Sequence, residues 1–118
     1  MKVKLTNNDA QRLLAALRAV DAESKLEGRT RLDIAININR LMPMVMAFET
    51  TVQKRRMDFG LGSGEVNKDI VIELSDLMTG CEEYDLKEIT VNSLKLDDNL
   101  KITGDQLASM TPILTGLE

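Results

Sequence analysis

Hydrophobic residues follow helical spacing through the first half of this chain and mixed spacing through the second. Residues 2–5, KVKL, alternate polar and apolar side chains, which predicts a short strand. Apolar positions then recur every three or four residues, which predicts a first helix that runs to about Leu26. Side chains of residues 6–9, TNND, can cap its start, and Gly28 is expected to cap its end.

A second helix, beginning near Thr30, has the longest regular pattern in the chain. Thr30 and Asp33 resemble a capping box. The apolar seam comprises Ile34, Ile38, Leu41, Val45, Phe48 and Val52. It continues in phase across Pro43, so we expect a kink near Arg40 rather than a break. This pattern predicts an antiparallel helical hairpin with the first helix.

The second half of the chain alternates between short helical and extended patterns. Residues 66–77 fit an amphipathic helix that stops at Gly80, although DIVIEL, residues 69–74, also fits a strand. The acidic residues 81–91 are expected to be extended. Residues 94–102, LKLDDNLKI, predict a hairpin to which the N-terminal VKL could add a third strand.

The last segment predicts a short C-terminal helix. Thr103 and Gln106 match a capping box, and a buried stripe follows at Leu107, Met110 and Leu114. The chain is therefore expected to form one α+β domain over residues 1–118, with a long antiparallel helical hairpin, a small antiparallel sheet and this helix. Residues 1–59 supply the strand and helical hairpin, and residues 60–118 supply a linker, the short helix, the β-hairpin and the C-terminal helix.

Three alternating glycines in MDFGLGSGEV, residues 57–66, suggest a phosphate-binding loop. A dinucleotide-binding loop requires a preceding strand, and a Walker loop requires Gly-Lys-Ser/Thr. Here a long helix precedes the glycines and Glu65 follows them. The Asp58-Phe59-Gly60 triplet also lacks the other kinase motifs. We interpret residues 59–64 as a flexible linker.

Composition argues against catalysis and against a bound metal or cofactor. The chain has no histidine and a single cysteine, Cys81, which removes a Cys-His pair, an internal disulfide and a cysteine zinc cluster. Glu82, Glu83 and Asp85 are interpreted as a solvated acidic edge rather than a metal site. Residues 97–102 depart from a calcium loop, because lysine replaces one ligand and isoleucine the required glycine. We expect no enzyme activity and no cofactor.

Charge is distributed unevenly. Residues 1–59 hold 11 Lys or Arg and 7 Asp or Glu, whereas residues 60–118 hold 4 and 12. We interpret this asymmetry as two solvated faces of one domain. The alternative is that the basic and acidic halves attract each other, within one chain or between subunits. Because the basic side chains are sparse and aromatic residues are few, we expect no nucleic-acid binding. We also expect no membrane span and no secretory signal, since no apolar run is long enough.

Three segments resemble a group of small hypothetical proteins encoded by tailed phages and prophages. They are LLAALRAVD, IAININRLMPMVMAFETTVQKR, and the ending from YDLKEITVNSLKL to KITGDQLASMTPIL. The resemblance implies a viral origin, a non-enzymatic role and a location in the virion or the host cytoplasm. Two functions are compatible with it: a structural or assembly component of the phage particle, or an inhibitor that binds a host defence protein or its nucleotide signal.

The second helix has more apolar surface than one helical hairpin can cover. Beyond its seam, a second side carries Ala35, Met42 and Met46, and a third carries Ile36, Pro43, Met44 and Ala47. We therefore predict self-association as a twofold dimer with Ile36, Met44 and Ala47 at the contact, alongside contacts with a phage or host protein. The alternative is that the C-terminal helix covers this stripe within one chain.

Overall fold

A computed structural model describes residues 1–22, 26–58, 68–90, 94 and 103–115 of the 118-residue chain. In chain order the elements are β1 (Lys2–Thr6), α1 (Asn7–Asp21), α2 (Gly28–Asp58), α3 (Lys68–Thr79), β2 (Cys81–Asp85), β3 (Ile89–Thr90), α4 (Gly104–Met110), a 3₁₀ turn (Thr111–Ile113) and β4 (Leu114–Thr115). The predicted α+β class is confirmed: a long helix is combined with a two-stranded antiparallel sheet and a short C-terminal helix.

Helix α1 begins directly after its N-capping residue, Thr6. The Thr6 hydroxyl accepts a hydrogen bond from the backbone N–H of Asp9 at 3.0 Å, which satisfies one of the free donors of the first turn. The helix ends at Asp21, earlier than predicted. Gly28 was wrongly assigned as its cap: it lies at the first position of α2 and does not adopt the left-handed backbone that a glycine cap uses.

Helix α2 runs the whole length of the molecule. Its 31 residues correspond to about 46 Å at 1.5 Å per residue, and the longest dimension of the protein is 47 Å. The predicted capping box at its start was wrong, because Thr30 lies buried inside the first turn while Asp33 forms an ion pair with Arg29 at 3.5 Å. The helix continues through Pro43.

The core lies between α1, α2 and the segments that follow α3. The inward side chains of α1 pack against the seam of α2, and α4 packs on α1. The most deeply buried large residues of this cluster are Leu13, Leu17, Ile34, Leu41, Leu86, Leu94, Met110 and Ile113. The predicted seam is therefore the inward side of α2, although Ile38 and Val52 at its margins are only half-buried.

Strand β1 forms a sheet that was not predicted. It pairs antiparallel with β2, in a register that runs from Lys2 opposite Asp85 to Thr6 opposite Cys81. The predicted partner of β1 was the 94–102 hairpin. Apart from the buried Leu94, that hairpin lies outside the described residues, as does the 59–64 linker. Residues 69–74, whose pattern fitted either a helix or a strand, belong to α3.

Leu114 was wrongly placed on the C-terminal helix. That helix begins at the predicted capping box, where both Thr103–Gln106 hydrogen bonds form, but α4 ends at Met110. Pro112 in the next turn has no backbone N–H to continue an α-helix. Leu114 consequently lies on β4, which pairs in parallel with β3 opposite Ile89. Both residues are buried in the core.

Among the described ranges, none of the helices combines the length and the apolar character that crossing a membrane requires.

Candidate protein interaction surface

A buried asparagine joins the inward side of α2 to the chain after β2. Asn37 is fully buried; its amide N–H₂ donates to the Lys87 carbonyl at 3.0 Å, and its side-chain oxygen accepts from the Lys87 N–H at 2.6 Å. One side chain thus satisfies both backbone groups of Lys87, much as a neighbouring strand would. Sequence reasoning missed this residue, because an asparagine on an apolar face has no distinctive spacing.

Ion pairs link the basic first half of the chain to the acidic second half within one molecule. Arg40 Nη1 donates to the Asp85 carbonyl at 2.6 Å and lies 3.7 Å from its carboxylate. Arg55 forms a two-point contact with Glu73 of α3, with distances of 2.7 and 2.9 Å. Part of the charge asymmetry is therefore neutralised inside the fold.

The Arg55–Glu73 contact shifts both partners toward their charged forms. Hydrogen bonding to Arg55 holds the pKa of Glu73 below its ordinary value of 4.5, and the same contact raises the pKa of Arg55. Both side chains remain more than a third exposed, so water screens the attraction. The pair orients α3 along the end of α2 rather than forming a reactive site.

The carboxylates of the acidic strand β2 are divided between the two sides of the strand. Because side chains alternate across a strand, Glu83 and Asp85 face Lys4 and Lys2 of β1 on one side, while Glu82 lies opposite Leu5 on the other. No group of three potential metal ligands occurs among the residues that the structure describes. Cys81, at the start of β2, is exposed and has a free thiol.

Tyr84, also on β2, points its ring into the core. Burial raises the pKa of its hydroxyl, and the charge of Glu82 adds to that rise. Within the described part of the chain the hydroxyl has no hydrogen-bond partner. The phenol ring is held in the apolar core in its un-ionised form, so the arrangement supports packing rather than proton transfer.

The predicted interface residues lie on the sides of α2 that turn away from the core. Met44 is 39% exposed and Ala47 is also exposed, whereas Ile36 is only half-buried. Helix α4 packs against α1, so it does not cover Met44 as the alternative interpretation required. The structure brings the three residues onto one helix but does not show what contacts them.

Exposed side chains of α2 also form a second, more regular set. Leu32 and Met46 are 50% and 53% exposed, and Asn39 midway between them is exposed as well. We call Leu32, Asn39 and Met46 the outer face of α2, and Ile34, Asn37, Leu41, Val45 and Phe48 its inner face. The seven-residue spacing of the outer face is visible in the sequence, but the predicted interface included none of its members.

A groove of about 300 Å³ opens beside the inner face, between α1, α2 and α3. It is lined by four apolar and four polar side chains: Phe48, Val52, Leu74 and Met78, with Gln11, Glu49, Gln53 and Arg56. Gln11 donates to the Glu49 carboxylate at 3.1 Å across it. Val71 and Ile72 of α3 are also exposed. The molecule thus carries apolar surface on two helices.

No protein-family model, curated protein or solved structure matches this chain. The functional argument therefore depends on the geometry of these surfaces and on the residues that form them.

Proposed function

We propose that this protein is non-enzymatic and acts through protein–protein contacts made by the outward sides of α2. The observation that carries the proposal is the half-exposed state of Leu32 and Met46 on a helix that spans the molecule. Single exposed apolar residues are ordinary, but a row of them along one helix marks a surface for association. Met44 and Ala47 extend that apolar surface around the helix.

Self-association is the simplest form of such a contact, because a twofold dimer lets one apolar surface cover its own copy. Within this proposal Met46→Glu weakens assembly and has little effect on folding, since the side chain is already half in water. A Met46 side chain packed in the monomer core would instead make the charge damaging to folding. Light scattering and thermal unfolding of the variant and the wild type separate these results.

The biological setting is the structural or assembly apparatus of a tailed phage, with the virion or the host cytoplasm as the location. The sequence resemblance supports this setting. Mass spectrometry of purified particles and of infected cells tests it. A particle component is enriched in purified virions at a constant ratio to the capsid subunit. A protein found only in the infected cell would contradict a particle role and leave contact with a host protein as its function.

A further inference from the structure

The charges beside the outer face indicate how two copies of α2 meet. Arg31 and Glu49 are both exposed and are separated by 18 residues, which equals about five helical turns. Their side chains therefore leave the helix in the same direction, on the same flank of the outer face. One flank of α2 thus carries a cation near one end and an anion about 27 Å away at 1.5 Å per residue.

From this arrangement we propose that the outer face of α2 binds the same face of a second copy of this chain in antiparallel orientation, with Arg31 of each copy paired to Glu49 of the other. This inference rests on the proposed function and specifies its geometry. A twofold axis midway between the two charges, level with Arg40, brings Arg31 beside the other copy's Glu49 at both ends. In a parallel dimer the twofold axis runs along the helices and places the two charged flanks on opposite sides of the seam, so Arg31 of one copy would not meet Glu49 of the other.

Both charged groups have capacity for a second partner. Among the described residues Arg31 makes one long side-chain contact, 3.5 Å to the Asp21 carbonyl, and a guanidinium has five N–H donors. Glu49 accepts from Gln11 through one oxygen, Oε1, while its other oxygen can accept as well. The existing contacts hold both side chains near the flank without consuming their charge.

The same axis matches the outer-face side chains to one another. At the level of Leu32 on one helix, Met46 and Thr50 of the other copy lie about 3 Å above and below, given the rise per residue. Asn39 falls close to the twofold axis, where the two amides can each donate and accept a hydrogen bond. A polar residue at one position of an apolar helical seam favours a single register and a dimer.

Charge reversal tests the pairing. We expect Arg31→Glu and Glu49→Arg each to weaken dimerisation at least tenfold in sedimentation velocity, and the double variant to recover most of the wild-type affinity. Lys54→Glu, an exposed charge change on the other flank of α2, is the matched control and should have little effect. Circular dichroism of each variant verifies that the fold is retained.

Disulfide trapping tests the orientation in a Cys81→Ser background, which removes the native thiol. Mild oxidation of a mixture of Leu32→Cys and Met46→Cys proteins should yield the mixed dimer, whereas Leu32→Cys alone should not cross-link to itself. Self-linked Leu32→Cys dimers, or a double charge reversal that fails to recover affinity in a protein that still dimerises, would overturn the antiparallel pairing and leave the proposed function standing. A wild-type protein that stays monomeric would overturn the antiparallel pairing and self-association itself, and would leave contact with a different protein as the remaining form of the proposed function.

Discussion

The inner and outer faces of α2 have the same helical spacing but different environments. The inner face is closed by α1 and by the chain after β2, so that Ile34 and Leu41 are completely buried. The outer face, one half-turn away on the same helix, leaves Leu32 and Met46 half in water. Apolar periodicity therefore identifies surfaces that require a partner, but it does not say whether the partner belongs to the same chain.

The two faces also use asparagine differently. Asn37 on the inner face is held by two hydrogen bonds to the Lys87 backbone, whereas Asn39 on the outer face is exposed. A buried amide that lost its partners would retain the full cost of its removal from water. The inner asparagine thus specifies where the β2–β3 segment attaches, and the outer one is free to contact a second molecule.

The largest difference should appear when apolar side chains are shortened on each face. Leu41→Ala leaves a cavity in a fully packed region and should lower the free energy of unfolding by about 3 kcal/mol. Met46→Ala on the outer face should change it by less than about 0.5 kcal/mol in monomeric protein. Urea denaturation at low protein concentration measures both. Equal losses would mean that the outer face is packed within the monomer.

A smaller change in the free energy of unfolding is expected when Asn37 is replaced, with Asn39 as the comparison. Asn37→Leu keeps the size of the side chain but leaves the Lys87 N–H and C=O without this partner, which should cost about 2 kcal/mol. Asn39→Leu, two residues along the same helix and exposed, is the control and should be close to neutral in monomeric protein. A wild-type free energy of unfolding for Asn37→Leu would show that the buried contact contributes no net stability.

What could be predicted from the sequence depends on how local each interaction is. The Thr103–Gln106 capping box and the seam around Leu41 involve neighbours within a helical turn or a regular repeat, and both were confirmed. The β1–β2 pairing joins residues about 80 positions apart in the chain, and β2 was not predicted as the partner of β1. Local pattern contains little information about which distant strand completes a sheet.

The candidate surface was predicted only in part for the same reason. An excess of apolar residues on α2 was evident, but the helix side that remains exposed depends on where α1 and β2 pack. Ile36 was expected at the contact and is half-buried, while Leu32 was overlooked and is 50% exposed. The burial of Asn37 depends on a backbone partner at Lys87, whose side-chain identity is irrelevant to that bond.

The smallest effect is expected from the Arg55–Glu73 ion pair, which joins the last turns of α2 to α3. Because the pKa of Glu73 is lower in the folded protein than its ordinary value of 4.5, the pair contributes stability above that pH and loses it as the pH falls through the folded-state pKa. Glu73→Gln should therefore slightly destabilise the protein at pH 7, and the difference from wild type should shrink as the pH falls below 4.5. Glu88→Gln, another exposed carboxylate, is the control. A difference between Glu73→Gln and wild type that does not shrink as the pH is lowered, measured by thermal unfolding, would show that charge is not its cause.

The central claim is that the outer side of α2 is covered by another protein molecule, most simply by its own copy. Sedimentation equilibrium of the wild type from micromolar to millimolar concentration, with Met46→Glu beside it, tests that claim directly. We predict a reversible monomer–dimer equilibrium for the wild type, and a Met46→Glu variant that folds normally but remains monomeric over the same range. A wild type that is monomeric throughout, or a Met46→Glu variant that dimerises as well as the wild type, would contradict the account.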